Sequence, residues 1–486
     1  MLLGEGNGPC PATVPRCARV PDGCQLEVVM IGPMLDRIHL EALVATGEID
    51  TVIVAFPDQQ GRLMGKRLTG RHFVQHAADE GIHACDYLLT VDMAMEPLPG
   101  YRSANWDRGY GDFTVVPDWR TARRLPWLSG TAIVLGDPRD RSGVPVPIAP
   151  RQVLRTQVDR AAAAGLRLRM ASELEGYLFQ ETFETAAGKG YRGLGRASRY
   201  LEDYHLFQGG REEPVLRRLR NEMGAAGVPM EGTKGEWGRG QVELNLEHAE
   251  PLEMADRHVL LKHGAREIAE QQGMALTFMP KVAPDEAGSS CHVHASAWDL
   301  TGMRNAFCGG HGGDGEPTAT FRHFLAGQLA LARDLSVLFA PSINAYKRYQ
   351  SMSWAPTAIT WGMDNRTCGF RVVGRGASFR IENRLPGADA NPYLAYAAMI
   401  GAGIYGITQR LELPDAFSGN AYAAGDVPRL PATLREGARA FEESALAREI
   451  LGDEVVDHYA LTARHEADAY DRAVTDWELA RYFEQG

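Results

Sequence analysis

In four separate segments of this chain, charged or histidine side chains stand at every second position with small or apolar residues between them. Successive side chains on a β-strand turn to opposite faces, so each segment predicts a strand with one polar face. In Ser172-Glu-Leu-Glu175 the pair Glu173 and Glu175 points one way and Leu174 the other. In Glu236-Trp-Gly-Arg-Gly-Gln-Val-Glu-Leu-Asn245, the residues Val242, Leu244 and then Leu246 make a core face, Glu243 points away from it, and Glu236 precedes a glycine-rich bend. His292, His294 and Ser296 share a face in Gly288-Ser-Ser-Cys-His-Val-His-Ala-Ser296, as do Arg380, Glu382 and Arg384 in Ser378-Phe-Arg-Ile-Glu-Asn-Arg384. Between these last two lies a basic run, Lys347, Arg348, Arg366 and Arg371. The chain therefore has to build a sheet with one chemically loaded face.

The rest of the sequence supplies the frame. A chain of 486 residues exceeds one ordinary core. Thr51–Phe56 reads as a strand, Gly65–Arg67 as a strand-like piece after a turn, and Gly130–Asp137 as a strand that Pro138 ends, together predicting a small sheet domain over 35–145. A Pro- and Arg-rich stretch, Asp137–Pro150, marks the boundary, and 146–486 reads as a larger domain. There Gln152–Ala164 predicts a helix, Leu166–Phe179 a strand, Leu252–Gly273 a long amphipathic helix, and Pro317–Gln350 and Ala390–Leu411 contain two more. Helices and strands mix without a dinucleotide fingerprint, so the fold class is α+β. Residues 1–34 form an N-terminal arm in which prolines break any helix; Cys10, Cys17 and Cys24 lack the spacing of a zinc site.

Composition excludes several functions. The formal net charge of −11 is wrong for a general nucleic-acid binder. No stretch of about 18 apolar residues offers a membrane span, and the start lacks the apolar run of a signal peptide. Seven cysteines, an odd number, fit a reducing compartment, so a cytoplasmic protein is expected.

Taken singly, each motif has a plain structural reading: a solvated strand face, an ordinary histidine, a surface salt-bridge ladder worth under about 1 kcal/mol. Taken together they do not. Like carboxylates on one face repel unless a cation lies between them. Five glutamates and a His-x-His make a hard, oxygen-rich ligand set suited to Mg²⁺ or Mn²⁺. Arginines beside them suit phosphate oxygens and a substrate carboxylate, which points to phosphoryl transfer. A simple metal-dependent hydrolase would give the basic run nothing to do.

The ordered set Glu-x-Glu (173, 175), GEWGRGQVE, GSSCHVH, NAYKR…SWAPT…WGMDNR and RIENR…GADANPYLAYAA resembles the glutamine synthetase superfamily from about Leu40 to the C-terminus. That resemblance implies a β-grasp N-terminal domain, a larger catalytic α+β domain, and a ring oligomer, commonly two stacked hexamers, with sites between subunits. It implies an ATP-dependent ligase that activates the γ-carboxylate of L-glutamate as an acyl phosphate, with two or more Mg²⁺ or Mn²⁺ ions per site. Position by position, Glu175, Glu236 and Glu243 resemble one metal's ligands, and Glu173, His292 and Glu382 the second's. Arg348 and Arg384, with the Gly288 backbone, match the holders of glutamate. Arg366, Arg371 and Arg380 match the phosphate-contacting arginines. Glu231, His294 and Ser296 fall, with Arg380, at nucleotide positions, and His248 where an adenine-contacting aromatic sits.

The departure is Trp354. Glutamine synthetases proper carry a glutamate there, and a small ammonium ion is best held by carboxylates; an indole suits the body of a larger amine. The Asp-Gly-Ser-Ser ammonium motif is likewise missing, with Ala84-Cys-Asp-Tyr-Leu-Leu-Thr-Val-Asp92 in its place, where Asp86 or Asp92 is the candidate to reach a neighbour's site. The chain is thus similar to the γ-glutamylamide ligases, which use organic amines such as ethanolamine, polyamines, alkylamines or anilines. Ammonia ligation is the alternative reading. A silent structural relative is disfavoured because every metal and phosphate position is kept. Tyr422 lies near an adenylylation position of some relatives, but its surroundings differ and no such control is expected.

Overall fold

The computed structural model describes residues 34–309 and 316–486. The cysteine triplet of the arm lies outside them, as does that arm up to residue 33. Two sheets organise the described residues. The first joins β1 (Thr51–Pro57), β2 (Leu63–Thr69), β3 (Ile82–Cys85), β4 (Asp112–Pro117), β5 (Arg123–Arg124) and β6 (Thr131–Arg139) in the order β2-β1-β6-β4-β3, with β5 on β6. Strand β1 is parallel to β6, and its apolar run is buried on both faces, with Val52, Val54 and Phe56 fully inaccessible. The expected strand at Gly65–Arg67 is the middle of β2.

The second sheet holds β7 (Leu166–Phe179), β8 (Met230–Gly235), β9 (Gln241–Leu246), β10 (Ala275–Thr277), β11 (Cys291–Asp299), β12 (Trp361–Met363), β13 (Phe370–Val373) and β14 (Arg380–Asn383). Its order is β12-β13-β14-β11-β7-β9-β8, with β10 on β7, and every pairing except β12–β13 is antiparallel. Strand β7 spans the residues its pattern predicted, because Leu168, Met170 and Leu174 alternate with Arg167, Arg169 and Glu173. Its apolar face packs under the helices Pro150–Ala163, Pro251–Gln271 and Pro392–Gln409. Each of these helices begins with proline at its first turn, where no intrahelical donor is lost.

One buried ion cluster ties the first sheet to the helices that cover the second. Arg151, 1% exposed, donates to both carboxylate oxygens of Asp256 at 2.9 and 2.8 Å, and pairs with Asp118 at 3.2 Å and with Asp137 on β6. A guanidinium can satisfy three acids because it offers five donors in a planar fork.

Candidate active site

Strand register does the first half of the assembly. Glu175 on β7 lies opposite Glu243 on β9, and Glu173 opposite His292 on β11. His294 lies opposite Glu382 on β14, which in turn faces Arg371 on β13. Five neighbouring strands therefore present carboxylates, imidazoles and guanidiniums in one diagonal band. The band floors a cavity of about 580 Å³ lined also by Glu236, Gly288, Arg348, Trp354, Arg366 and Arg384.

Two acidic clusters stand in this band. One ligand atom each from Glu175, Glu236 and Glu243 lie within 4.8 Å of one another, and so do those of Glu173, His294 and Glu382. His292 is also in reach of the second cluster, its Nδ1 3.4 Å from Glu173 and 3.6 Å from Glu382. The sequence-based trio with His292 therefore widens to include His294, which sits 2.7 Å from Glu173 and accepts from Arg380 Nε at 3.1 Å.

Electrostatics show what the clusters need. Burial, and then the charge of Glu236, push the Glu243 carboxyl up to about 9, and the same two causes raise Glu175. Lys234 compensates two of the three acids: its ammonium pairs with Glu236 and stands 3.7 Å from Glu243. Burial opposes ionisation of Glu173 too, but hydrogen bonds from His292 and His294 hold it well below the ordinary carboxylate range. Burial likewise opposes Glu382, which Arg384 and the two histidines hold at about 2. A hard divalent cation fits a carboxylate trio short of positive charge.

The basic residues enclose the other side. Arg384 donates to Glu382 at 2.6 Å and Arg371 to its other oxygen at 2.8 Å, so both forks are oriented by the acid they neutralise. Arg348 is 1% exposed and donates to the Leu385 carbonyl. Gly288 is required beside it, because a Cβ there would stand 2.7 Å from Arg348 Cγ. Trp354 is held in the left-handed region, φ 64°. Arg384 grips its carbonyl at 3.3 Å and the Tyr422 hydroxyl donates to the next carbonyl, Ala355, at 3.0 Å. Such backbone conformations in non-glycine residues concentrate at functional sites.

Not all the expected residues converge. Arg380 donates to His294 but neither lines the cavity, Ser296 accepts from Trp298 at 2.9 Å, and Glu231 and His248 are exposed. Asp92 lines a different cavity, and Asp86 accepts from the Gly111 amide at 2.9 Å.

Several lining residues went unread in the sequence: Asp203, Tyr204, Lys234, Trp237, Gln241 and Ser290. Lys234, Ser290 and Gln241 carry a signal, since each lies two positions before a named ligand, Gln241 on the same face of β9 as Glu243. Gln241 bridges Glu175, the Gly288 carbonyl and Ser289 at 3.0–3.2 Å.

Residues 147–482 match the family described as glutamine synthetase, catalytic domain. The chain belongs to this family. It is 52% identical over 453 residues to the gamma-glutamylethanolamide synthetase of Streptomyces coelicolor, covering 93% of this chain and 96% of that one. It is 36% identical over 439 residues to a glutamate–isopropylamine ligase of a Pseudomonas species, covering 90% and 95%. Among solved structures it is similar to apo GmaS without ligand, with a TM-score of 0.80 and 27% identity over 92% of this chain and 99% of that one. Within the family, the chain's likeness is to the branch named for organic amines, as the indole at position 354 led one to expect. Among the described residues no helix is long and apolar enough to cross a membrane.

Proposed function

We propose that this chain is an ATP-dependent ligase that joins the γ-carboxylate of L-glutamate to an organic amine. The observation that carries the choice of amine over ammonia is Trp354, which packs edge to face on Trp237, ring centroids 5.9 Å apart, at the wall of the charged cavity.

The γ-carboxylate resists attack because it is an anion. Activation places its oxygen on the γ-phosphorus of ATP as the bridging P–O bond breaks and ADP leaves. The amine nitrogen then bonds to the acyl carbon, the C–O bond to phosphate breaks, and the nitrogen loses a proton. Arg348 and Arg384, with the Gly288 backbone, hold the substrate glutamate; Arg366, Arg371 and Arg380 bear the charge of the transferring phosphoryl group; Glu231, His294 and Ser296 receive the nucleotide. Glu175, Glu236 and Glu243 would hold one Mg²⁺ or Mn²⁺ and Glu173, His292 and Glu382 a second, with His294 beside them. When bound, such ions neutralise phosphate charge and fix its orientation. The carboxylate trio's shortage of positive charge supports that assignment.

In this reading residues 35–145 form a β-grasp domain and 146–486 the catalytic domain, the enzyme works in the cytoplasm, and the subunits close into a dodecameric ring. Phosphate release from ATP with Mg²⁺ and glutamate, across ammonium, ethanolamine, isopropylamine, putrescine, spermine and aniline with products weighed by mass spectrometry, tests it. Turnover with one organic amine and little with ammonium is the expected result; preference for ammonium would overturn the reading of Trp354.

A further inference from the structure

The amine ligase reading leaves open what holds the amine, and the cavity's own acids point to one residue by elimination. Six carboxylates line it: Glu173, Glu175, Asp203, Glu236, Glu243 and Glu382. Glu173 is engaged by His292 and His294. Glu175 accepts from the Ser290 hydroxyl at 2.6 Å and amide at 2.8 Å. Glu236 and Glu243 share Lys234, and Glu382 takes Arg371 and Arg384. Asp203 alone of the six has a side chain with no hydrogen bond or ion pair among the described residues.

Its setting is specific. The Asp203 backbone adopts φ 43°, a left-handed conformation that aspartate tolerates better than most residues. Its amide donates to the Glu236 carbonyl at 3.0 Å, which fixes the residue against the carboxylate trio. Tyr204 follows it in the chain, and Tyr204, Trp237 and Trp354 line the same cavity, the two indoles being 47% and 48% exposed. A free carboxylate in a cavity that also carries three aromatic rings matches a small organic ammonium: the acid takes the charge and the rings take the C–H surface. Lys234 completes the selection. Its ammonium lies 4.7 Å from the centre of the Tyr204 ring, so a second positive charge on the ligand would meet a like charge there.

Resting on the ligase reading, we propose that Asp203 is the anchor of the substrate's ammonium group, and that Asp203, Tyr204, Trp237 and Trp354 form a subsite for primary monoamines with a short uncharged body.

The test uses the full-length enzyme with ATP, Mg²⁺ and glutamate, and compares D203N with wild type. Two nucleophiles separate anchoring from architecture: ethanolamine, cationic near neutral pH, and hydroxylamine, already neutral there. A hydrogen bond to a charged group corresponds to about 10- to 100-fold in affinity, so D203N should raise the KM for ethanolamine by about that factor. Hydroxamate formation and the KM for glutamate should stay within about twofold, and D203E should recover part of the loss. Putrescine should be a poorer substrate than ethanolamine by at least about tenfold. Equal losses with both nucleophiles, or no loss with either, would overturn the anchor; wild-type use of putrescine as readily as ethanolamine would overturn the monoamine class. Absence of any glutamyl amide from the wild type would instead refute the ligase reading itself.

Discussion

Replacing Glu212 by Gln probes the segment that carries Asp203 and Tyr204. Glu202 and Glu212 are 2% and 0% exposed, and none of their four carboxylate oxygens has a hydrogen-bond partner among the described residues. Burial, and then the charge of Glu202, push the Glu212 carboxyl up to about 9 from its ordinary 4.5. The raised value sets the sign. Below about 4.5 the group is protonated folded and unfolded, and its contribution is fully present. As pH climbs toward 9 the unfolded chain releases the proton and the folded one keeps it, so stability is lost. Each pH unit in that window costs about 1.4 kcal/mol. From pH 6 to pH 8 the loss is about 3 kcal/mol, and E212Q, which keeps the shape and cannot ionise, should not suffer it. Buried histidines such as His258, whose pKa burial lowers, titrate alike in both proteins and cancel. Chemical denaturation followed by tryptophan fluorescence at pH 6, 7 and 8 measures the gap, which should widen with pH in favour of E212Q. In parallel, the wild-type KM for the amine should rise with pH more steeply than that of E212Q. A gap that stays constant, or closes, would refute the assignment of a buried Glu212 that keeps its proton beside Glu202.

Three further outcomes follow from the site and the frame. W354E adds a further carboxylate to the cavity wall and removes an indole, so the ratio of ammonium to organic-amine kcat/KM should rise by at least about tenfold, read in the same amine panel. E243Q removes one of the trio's acids, and its affinity for Mg²⁺ should fall by at least about tenfold, read as a loss of metal-induced thermal stabilisation rather than of activity. R151M strands Asp118, Asp137 and Asp256 without their shared cation and should cost about 3–5 kcal/mol by denaturant titration, as expected for breaking a buried ion cluster from one side.

What the sequence determined by itself was the content of each strand face. A two-residue period is a local property, so Glu173 with Glu175, His292 with His294, and Glu382 beside two arginines were legible without any knowledge of neighbours, as was the substitution of an indole at 354. The long buried helices were legible for the same reason, since Met254, Leu261, Ala265 and Ile268 keep a helical period along one chain segment and are all buried. Only the tertiary structure decided register: that β7 stands between β9 and β11, placing Glu175 against Glu243 and Glu173 against His292, depends on residues about 70 and 120 positions apart that no local rule connects. It likewise decided which acids are already spent. Asp203 lies in a loop with no period to read, and its freedom is visible only after every other carboxylate in the cavity has found its partner, because a hydrogen bond or ion pair is a relation in space and not a feature of either residue alone.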